Sequence, residues 1–186
     1  MNTQTLFKVI GTILLYLFLQ VFIVRNLVFF EVAFCFVYIS IILFLPSSTP
    51  VSAVLLIAFL AGLSVDLFYN TAGMHASASL LLAFLRSYII KVLFPTKGLD
   101  TELVISLDGM GMERFIRYIV ILTFIHHVYL FFLEAGSLNY FLNTSLKVVA
   151  SVMFTSICYH PSNISTFLSG QAIYLLNFLH QIFLSE

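Results

Sequence analysis

Ionisable side chains lie inside apolar stretches of this 186-residue chain, where a charge is costly. Asp66 lies near the end of the apolar run 51–69, and His126 and His127 lie in a later run. A carboxylate at the centre of a membrane helix costs about 2.5–3.5 kcal/mol on insertion scales, so it faces protein or water rather than lipid. Histidine titrates near neutral pH. Such residues can hold helices together, line a ligand pocket or relay protons.

The adjacent histidines do not form a metal site. Neighbouring residues on a helix point about 100° apart, so His126 and His127 cannot share a metal as an i, i+4 pair does. We interpret one as bonded in the core and the other as lying at a helix contact, with a proton relay as the alternative. Cys35 and Cys158 lack metal-ligand spacing, and we expect no structural disulfide.

Enzyme motifs are missing from the sequence. It contains no G-x-S-x-G, H-E-x-x-H or P-loop pattern. We therefore predict a protein without enzymatic activity, catalytic residues, cofactor or metal.

Lys147 is a second charge deep in an apolar stretch, 138–159, and its sign is opposite to that of Asp66. We hypothesise that the two form an internal ion pair, with Glu31 or Glu134 as further members. Removing one partner of a buried pair should then destabilise the protein more than removing both.

The composition requires lipid as the main solvent. The chain is 61% hydrophobic and 9% charged, with a mean hydropathy of +1.10, whereas soluble domains carry about 25% charged residues. Eight basic residues balance eight acidic ones, and no basic run indicates nucleic acid. We predict one integral-membrane domain over residues 1–186, with the lipid bilayer as its surroundings.

Six apolar stretches predict an all-α bundle of six transmembrane helices. They are residues 6–24, 28–45, 51–69, 74–94, 115–133 and 138–159. A last segment, 166–184, is apolar but carries polar residues on nearly one face. We favour an amphipathic helix at the interface or packed on the bundle over a seventh span.

The basic residues predict the orientation. Lys97 and Arg114 lie in the connection between the fourth and fifth spans, whereas the opposite side has only Arg25. That connection, and with it the N-terminus, should be cytoplasmic, in a multi-pass protein of the bacterial inner membrane.

Each predicted helix carries one narrow polar stripe, which indicates an inward-facing side. Examples are Gly62 with Asp66, His75 with Arg86, and Lys147 with Thr155. We interpret the stripes as helix–helix contacts, with a ligand pocket or a proton path through Asp66 and His127 as alternatives.

Two runs carry a family resemblance. Residues 61–76, AGLSVDLFYNTAGMHA, are followed by Ala83-Phe84-Leu85-Arg86, and residues 124–134 read FIHHVYLFFLE. Together they resemble the bacterial rod shape-determining protein family MreD: a G-x-x-x-D helix end, a short glycine turn and a small-residue helix. The resemblance covers roughly residues 1–155, and the tail departs from it.

The resemblance implies a role rather than a reaction. MreD proteins are non-enzymatic subunits of the cell-wall elongation machinery that bind MreC, which links them to MreB, RodA and a class B penicillin-binding transpeptidase. Their fold is similar to that of the S-components of energy-coupling-factor vitamin transporters, which gives the alternative function, a substrate-binding subunit. The candidates for helix packing or partner binding are Gly62, Asp66, Gly73, His75, Arg86, His127 and Lys147.

Overall fold

The computed structural model describes residues 3–94, 105 and 107–159. Within that part of the chain, four helices are long and apolar enough to cross a membrane. They are α3 (Val51–Tyr69), α4 (Met74–Leu93), α6 (Met112–Ala135) and α7 (Phe141–Cys158). The chain is therefore a helical, membrane-embedded protein, and the predicted spans 51–69, 74–94, 115–133 and 138–159 are confirmed as helices.

The N-terminal stretch is helical but changes its winding. Helix α1 (Thr3–Phe18) continues into a π-helical turn, Leu19–Ile23, and a 3-10 turn, Val24–Asn26. Short helices α2 (Ser40–Leu43) and α5 (Leu107–Met110) precede α3 and α6, and a 3-10 turn, Leu138–Tyr140, precedes α7. The tail helix predicted for 166–184 and most of the connection after α4 lie outside the described residues.

The prediction of a continuous helix over 28–45 is wrong. Residues 27–39, named here the irregular segment, form a two-stranded antiparallel hairpin of β1 (Val28–Phe29) and β2 (Ala33–Phe34), followed by a 3-10 turn, Val37–Ile39. β-branched and aromatic residues dominate this segment, and both classes are weaker helix formers than unbranched aliphatic residues. High hydropathy therefore marked an apolar segment without marking a helix.

Side chains from neighbouring elements satisfy the backbone of the irregular segment. Ser151 Oγ accepts from Phe34 N at 2.9 Å, and Thr155 Oγ1 accepts from Phe36 N at 3.4 Å. Tyr159 OH donates to Phe36 O at 2.7 Å. Non-helical backbone at membrane depth is tolerated only where protein or water satisfies it, and the polar stripe of α7 serves this purpose.

The core lies where α3, α4 and α6 meet the end of the irregular segment. Tyr38, Leu82, Tyr118 and Leu122 are fully buried there. The short connection between α3 and α4 makes these two helices antiparallel neighbours, and their junction carries most of the residues singled out by the sequence.

Candidate functional site

Gly62 brings α3 into backbone contact with α4. A Cβ placed on Gly62 would lie 2.6 Å from both Ala76 Cα and His75 O. Only a residue without a side chain fits at such a separation, because real Cβ atoms do not approach other atoms so closely. The Gly62 position therefore sets the distance between the two helices.

Asp66 caps the N-terminus of α4 from the preceding helix. Its Oδ1 accepts from His75 N at 3.0 Å and its Oδ2 accepts from Ala76 N at 2.9 Å. These amides belong to the first turn of α4, where backbone N–H groups have no intrahelical acceptor. A carboxylate at this place also interacts favourably with the helix dipole. Asp66 is only 4% exposed, so these bonds stand in for water.

Thr71 and His75 complete the coordination of the carboxylate. The Thr71 hydroxyl donates to Asp66 Oδ1 at 2.5 Å, and His75 Nδ1 lies 3.0 Å from the same oxygen and 3.0 Å from Thr71 Oγ1. A neutral imidazole with its proton on Nδ1 donates here, which leaves Nε2 as an acceptor. Asp66, Thr71, His75 and the Ala76 amide are named here the cap cluster.

The turn between the helices places these groups. Asn70 ends α3 in the left-handed region, with φ of 54°, and Gly73 precedes α4 with φ of 82°. Glycine adopts such angles without steric cost. The sequence-predicted residues Gly62, Asp66, Gly73 and His75 thus meet in one junction.

The expected ion pair between Asp66 and Lys147 is wrong. The oxygens of Asp66 accept from the Thr71 hydroxyl and from the amides of His75 and Ala76. Lys147 Nζ lies instead over the Phe34 ring, 5.8 Å from its centroid. Glu31 and Glu134 form no ion pair with either residue in the part of the chain that the structure describes. The carboxylate is stabilised by α4 itself and needs no distant cation.

Arg86 lies apart from the cap cluster and binds carbonyl groups. Its Nε donates to Tyr118 OH at 3.1 Å, and its Nη2 donates to Leu45 O and, at 3.3 Å, to Pro46 O. Tyr118 OH in turn donates to Leu43 O at 2.7 Å. Arg86 is only 1% exposed. Its guanidinium thereby holds the carbonyl end of α2 against α4 and α6.

The two histidines of α6 bind different partners. His126 Nε2 lies 2.8 Å from Tyr38 OH, which also contacts Ser79 Oγ at 3.2 Å. His127 Nδ1 donates to Thr123 O at 2.7 Å, and its Nε2 lies 3.2 Å from Thr155 Oγ1. One histidine belongs to a core network and the other lies at the contact with α7.

A cavity of about 230 Å³ adjoins the cap cluster. Its wall includes Arg25, His75, Phe36, Phe131 and Glu134. A second cavity, of about 370 Å³, shares Phe131 and Glu134 with the first and also contains Lys147. Lys147 and Glu134 thus line the same cavity, and Asp66 does not line it.

The described residues place buried polar groups in hydrogen bonds between helices and turns. They contain no cluster of three histidine, cysteine, aspartate or glutamate side chains suited to a metal ion. Sequence reasoning missed Thr71, and it placed Thr155 on a polar stripe without identifying its partners, because these roles depend on the turn and on the irregular segment. A threonine five residues after Asp66, within a glycine-containing turn, was the available signal for Thr71.

Comparison of the chain with protein-family models, with curated proteins and with solved structures finds no match.

Proposed function

We propose that the chain is a non-enzymatic membrane subunit of the bacterial cell-wall elongation complex, resembling MreD, that binds an MreC-like partner. Through that partner it would be connected to MreB, RodA and a class B penicillin-binding transpeptidase. The proposed location is the inner membrane, with a cytoplasmic N-terminus.

The observation that carries the proposal is that the residues on which the family resemblance depends join two helices. The junction of α3 and α4 is formed by Gly62, Asp66, Gly73 and His75. The close approach at Gly62 and the hydrogen bonds of Asp66 make this junction rigid. Both oxygens of the Asp66 carboxylate accept hydrogen bonds within it. This arrangement suits a scaffold, whose residues are needed for shape, better than an enzyme that must free a carboxylate for chemistry.

The fold proposed with this function is an S-component-like bundle of six membrane crossings and a C-terminal helix. In that bundle the second crossing is formed by the irregular segment and α2 instead of a continuous helix. The exposed apolar faces of α3 and α7, with Leu60, Leu67, Leu146 and Met153 among their exposed residues, then meet lipid or a partner's transmembrane helix.

The alternative function is the substrate-binding S-component of a vitamin transporter. The cavity beside the cap cluster supports it, because ligand sites are concave and largely apolar with a few polar groups. Its volume of about 230 Å³ is below the usual range for such sites, about 300–1,000 Å³. We prefer the scaffold proposal because the residues that carry the family resemblance form the junction between α3 and α4.

Affinity purification of the tagged chain from its native host in mild detergent, with mass spectrometry, tests the proposal. We expect an MreC-like protein, RodA and the transpeptidase, with recovery lowered by Asp66→Asn and unchanged by Ser64→Ala. Ser64 is the matched control because its hydroxyl bonds only Leu60 O on an exposed face. A transmembrane coupling protein with ATPases, or a stoichiometric vitamin, would replace the scaffold proposal with the transporter one.

A further inference from the structure

The wall of the cavity beside the cap cluster carries one acidic side chain, Glu134, and one basic side chain, Arg25. Glu134, at the end of α6, is exposed and forms no hydrogen bond or ion pair with another described residue. Arg25 Nη1 donates to Phe68 O at 3.0 Å, and its guanidinium lies 4.8 Å from the centroid of the Tyr69 ring. A guanidinium has five N–H donors, so Arg25 retains donors for a ligand while its plane is fixed.

The rest of the wall is mainly apolar, and its uncharged polar residues include Tyr69, Thr71 and His75. Phe34, Phe36 and Phe131 supply aromatic surface. His75 also lines the cavity, and since its Nδ1 is turned to Asp66, Nε2 is the ring nitrogen left for a ligand. Buried aromatic surface with a few polar groups at one side is the usual composition of a site for a small organic ligand.

We propose that this cavity binds a small zwitterion that carries a primary ammonium group, an acidic group and an apolar body. The ammonium group lies beside Glu134, the acidic group beside Arg25, and the apolar body against Phe36 and Phe131. Arg25 and Glu134 are both exposed, and a zwitterion is the ligand that forms a charge-assisted hydrogen bond with each of them, whereas a ligand of one charge forms such a bond with one of them only. The cavity volume of about 230 Å³ limits the ligand to a small one.

Two kinds of molecule carry an ammonium group, an acidic group and an apolar body. One is a free amino acid with an apolar side chain, and the other is the ethanolamine phosphate head of a membrane lipid. For a phosphate, Lys147 offers a second cation in the adjoining cavity, whose wall also contains Glu134. The inference does not depend on the proposed scaffold function, because a ligand here can coexist with any partner bound at the lipid-facing surface.

Calorimetric titration of the purified full chain tests the charge requirement. The probes are L-phenylalanine, phenethylamine, which lacks the carboxylate, and 3-phenylpropionate, which lacks the ammonium group. We expect L-phenylalanine to bind at least about tenfold more tightly than either analogue, since a hydrogen bond to a charged group contributes about 1.5–3 kcal/mol. Equal binding of all three probes would overturn the proposal for a free ligand.

Glu134→Gln and Arg25→Gln should each weaken binding at least about tenfold. The matched controls are Glu113→Gln and Arg117→Gln, because this exposed pair, 2.6 Å apart, lies at the opposite end of α6. Thermal unfolding of every variant checks the fold, which matters most for Arg25 because it also holds Phe68 O. Binding that survives Glu134→Gln contradicts the proposal.

The lipid arm uses native mass spectrometry of the chain from nanodiscs containing equal phosphatidylethanolamine and phosphatidylglycerol. Preferential retention of phosphatidylethanolamine, lost in Glu134→Gln, assigns the site to a lipid head. L-phenylalanine binding without that preference assigns it to a free amino acid. If the chain shows neither saturable amino acid binding nor a lipid preference, the proposal is overturned, whatever the purification experiment shows about partners.

Discussion

Gly62 on α3 lies against the backbone of Ala76 on α4, with 2.6 Å between the Ala76 Cα and the place that a Cβ on Gly62 would occupy. A methyl group at this place must push the helices apart, and with them the amides that Asp66 binds. We expect Gly62→Ala to lower the free energy of unfolding by about 1–3 kcal/mol, the usual cost of overpacking. Denaturant unfolding in detergent, followed by circular dichroism, measures it.

Gly11→Ala is the matched control for Gly62→Ala. Gly11 lies within α1, and a Cβ there would meet nothing within 4 Å. Because alanine is a better helix former than glycine, this change should be neutral or stabilise the protein by about 0.5–1 kcal/mol. Similar losses at both positions would mean that the Gly62 contact is not specific.

Asp66→Asn removes an acceptor oxygen from the cap cluster. An amide side chain keeps one oxygen but turns an NH₂ group toward a backbone amide that needs an acceptor. Leaving a buried donor without a partner costs about 1–3 kcal/mol, and we expect a loss of stability in this range. Thermal unfolding of Asp66→Asn beside Ser64→Ala measures it, and equal midpoints would contradict the capping role.

Thr155→Val tests the attachment of the irregular segment to α7. The hydroxyl of Thr155 accepts from Phe36 N and lies 3.2 Å from His127 Nε2, so the change leaves both without this partner. We expect a loss of about 1–3 kcal/mol. The neighbouring Ser156→Ala is the control, because Ser156 Oγ is buried without a partner in the described structure and its removal should cost nothing. A reversed order of stability contradicts this account.

Arg86→Lys tests the hydrogen bonds by which Arg86 holds the carbonyl end of α2. A single ammonium group lacks the planar fork with which Arg86 reaches Tyr118 OH and the carbonyls of Leu45 and Pro46. We expect a loss of about 1–3 kcal/mol from the unpaired groups. Arg117→Lys, at an exposed site, should change stability by less than about 0.5 kcal/mol. Comparable losses in the two variants would be inconsistent with a special role for Arg86.

Hydropathy and turn chemistry located the long helices well. Helix α3 runs over the predicted residues 51–69, because Pro50 precedes its start and Asn70 ends it. The same reasoning wrongly predicted a helix over the stretch 28–45. Hydropathy reports burial, and the backbone of this stretch is held by Ser151, Thr155 and Tyr159, which are more than 100 residues away in sequence. Its aromatic and β-branched composition was the local sign against a helix.

The cap cluster was predictable in its members but not in its bonding. Gly62, Asp66 and His75 were singled out by the polar stripes and by the family resemblance. They meet in the structure because α3 and α4 are joined by a short turn. The pairing of Asp66 with Lys147 was inferred from depth and sign. The depth of a residue along its helix does not say which helices are neighbours. In the structure the N-terminal amides of α4 bind the carboxylate of Asp66.

Two double-mutant cycles test the central claim, that Asp66 caps α4 and does not pair with Lys147. The cycles combine Asp66→Asn with Thr71→Val and Asp66→Asn with Lys147→Met, and each compares free energies of unfolding in detergent. Contacting residues couple by about 0.5–3 kcal/mol, whereas distant ones add within about 0.3–0.5 kcal/mol. We predict coupling between Asp66 and Thr71 and additivity between Asp66 and Lys147. Additivity with Thr71 and coupling with Lys147 would contradict the account.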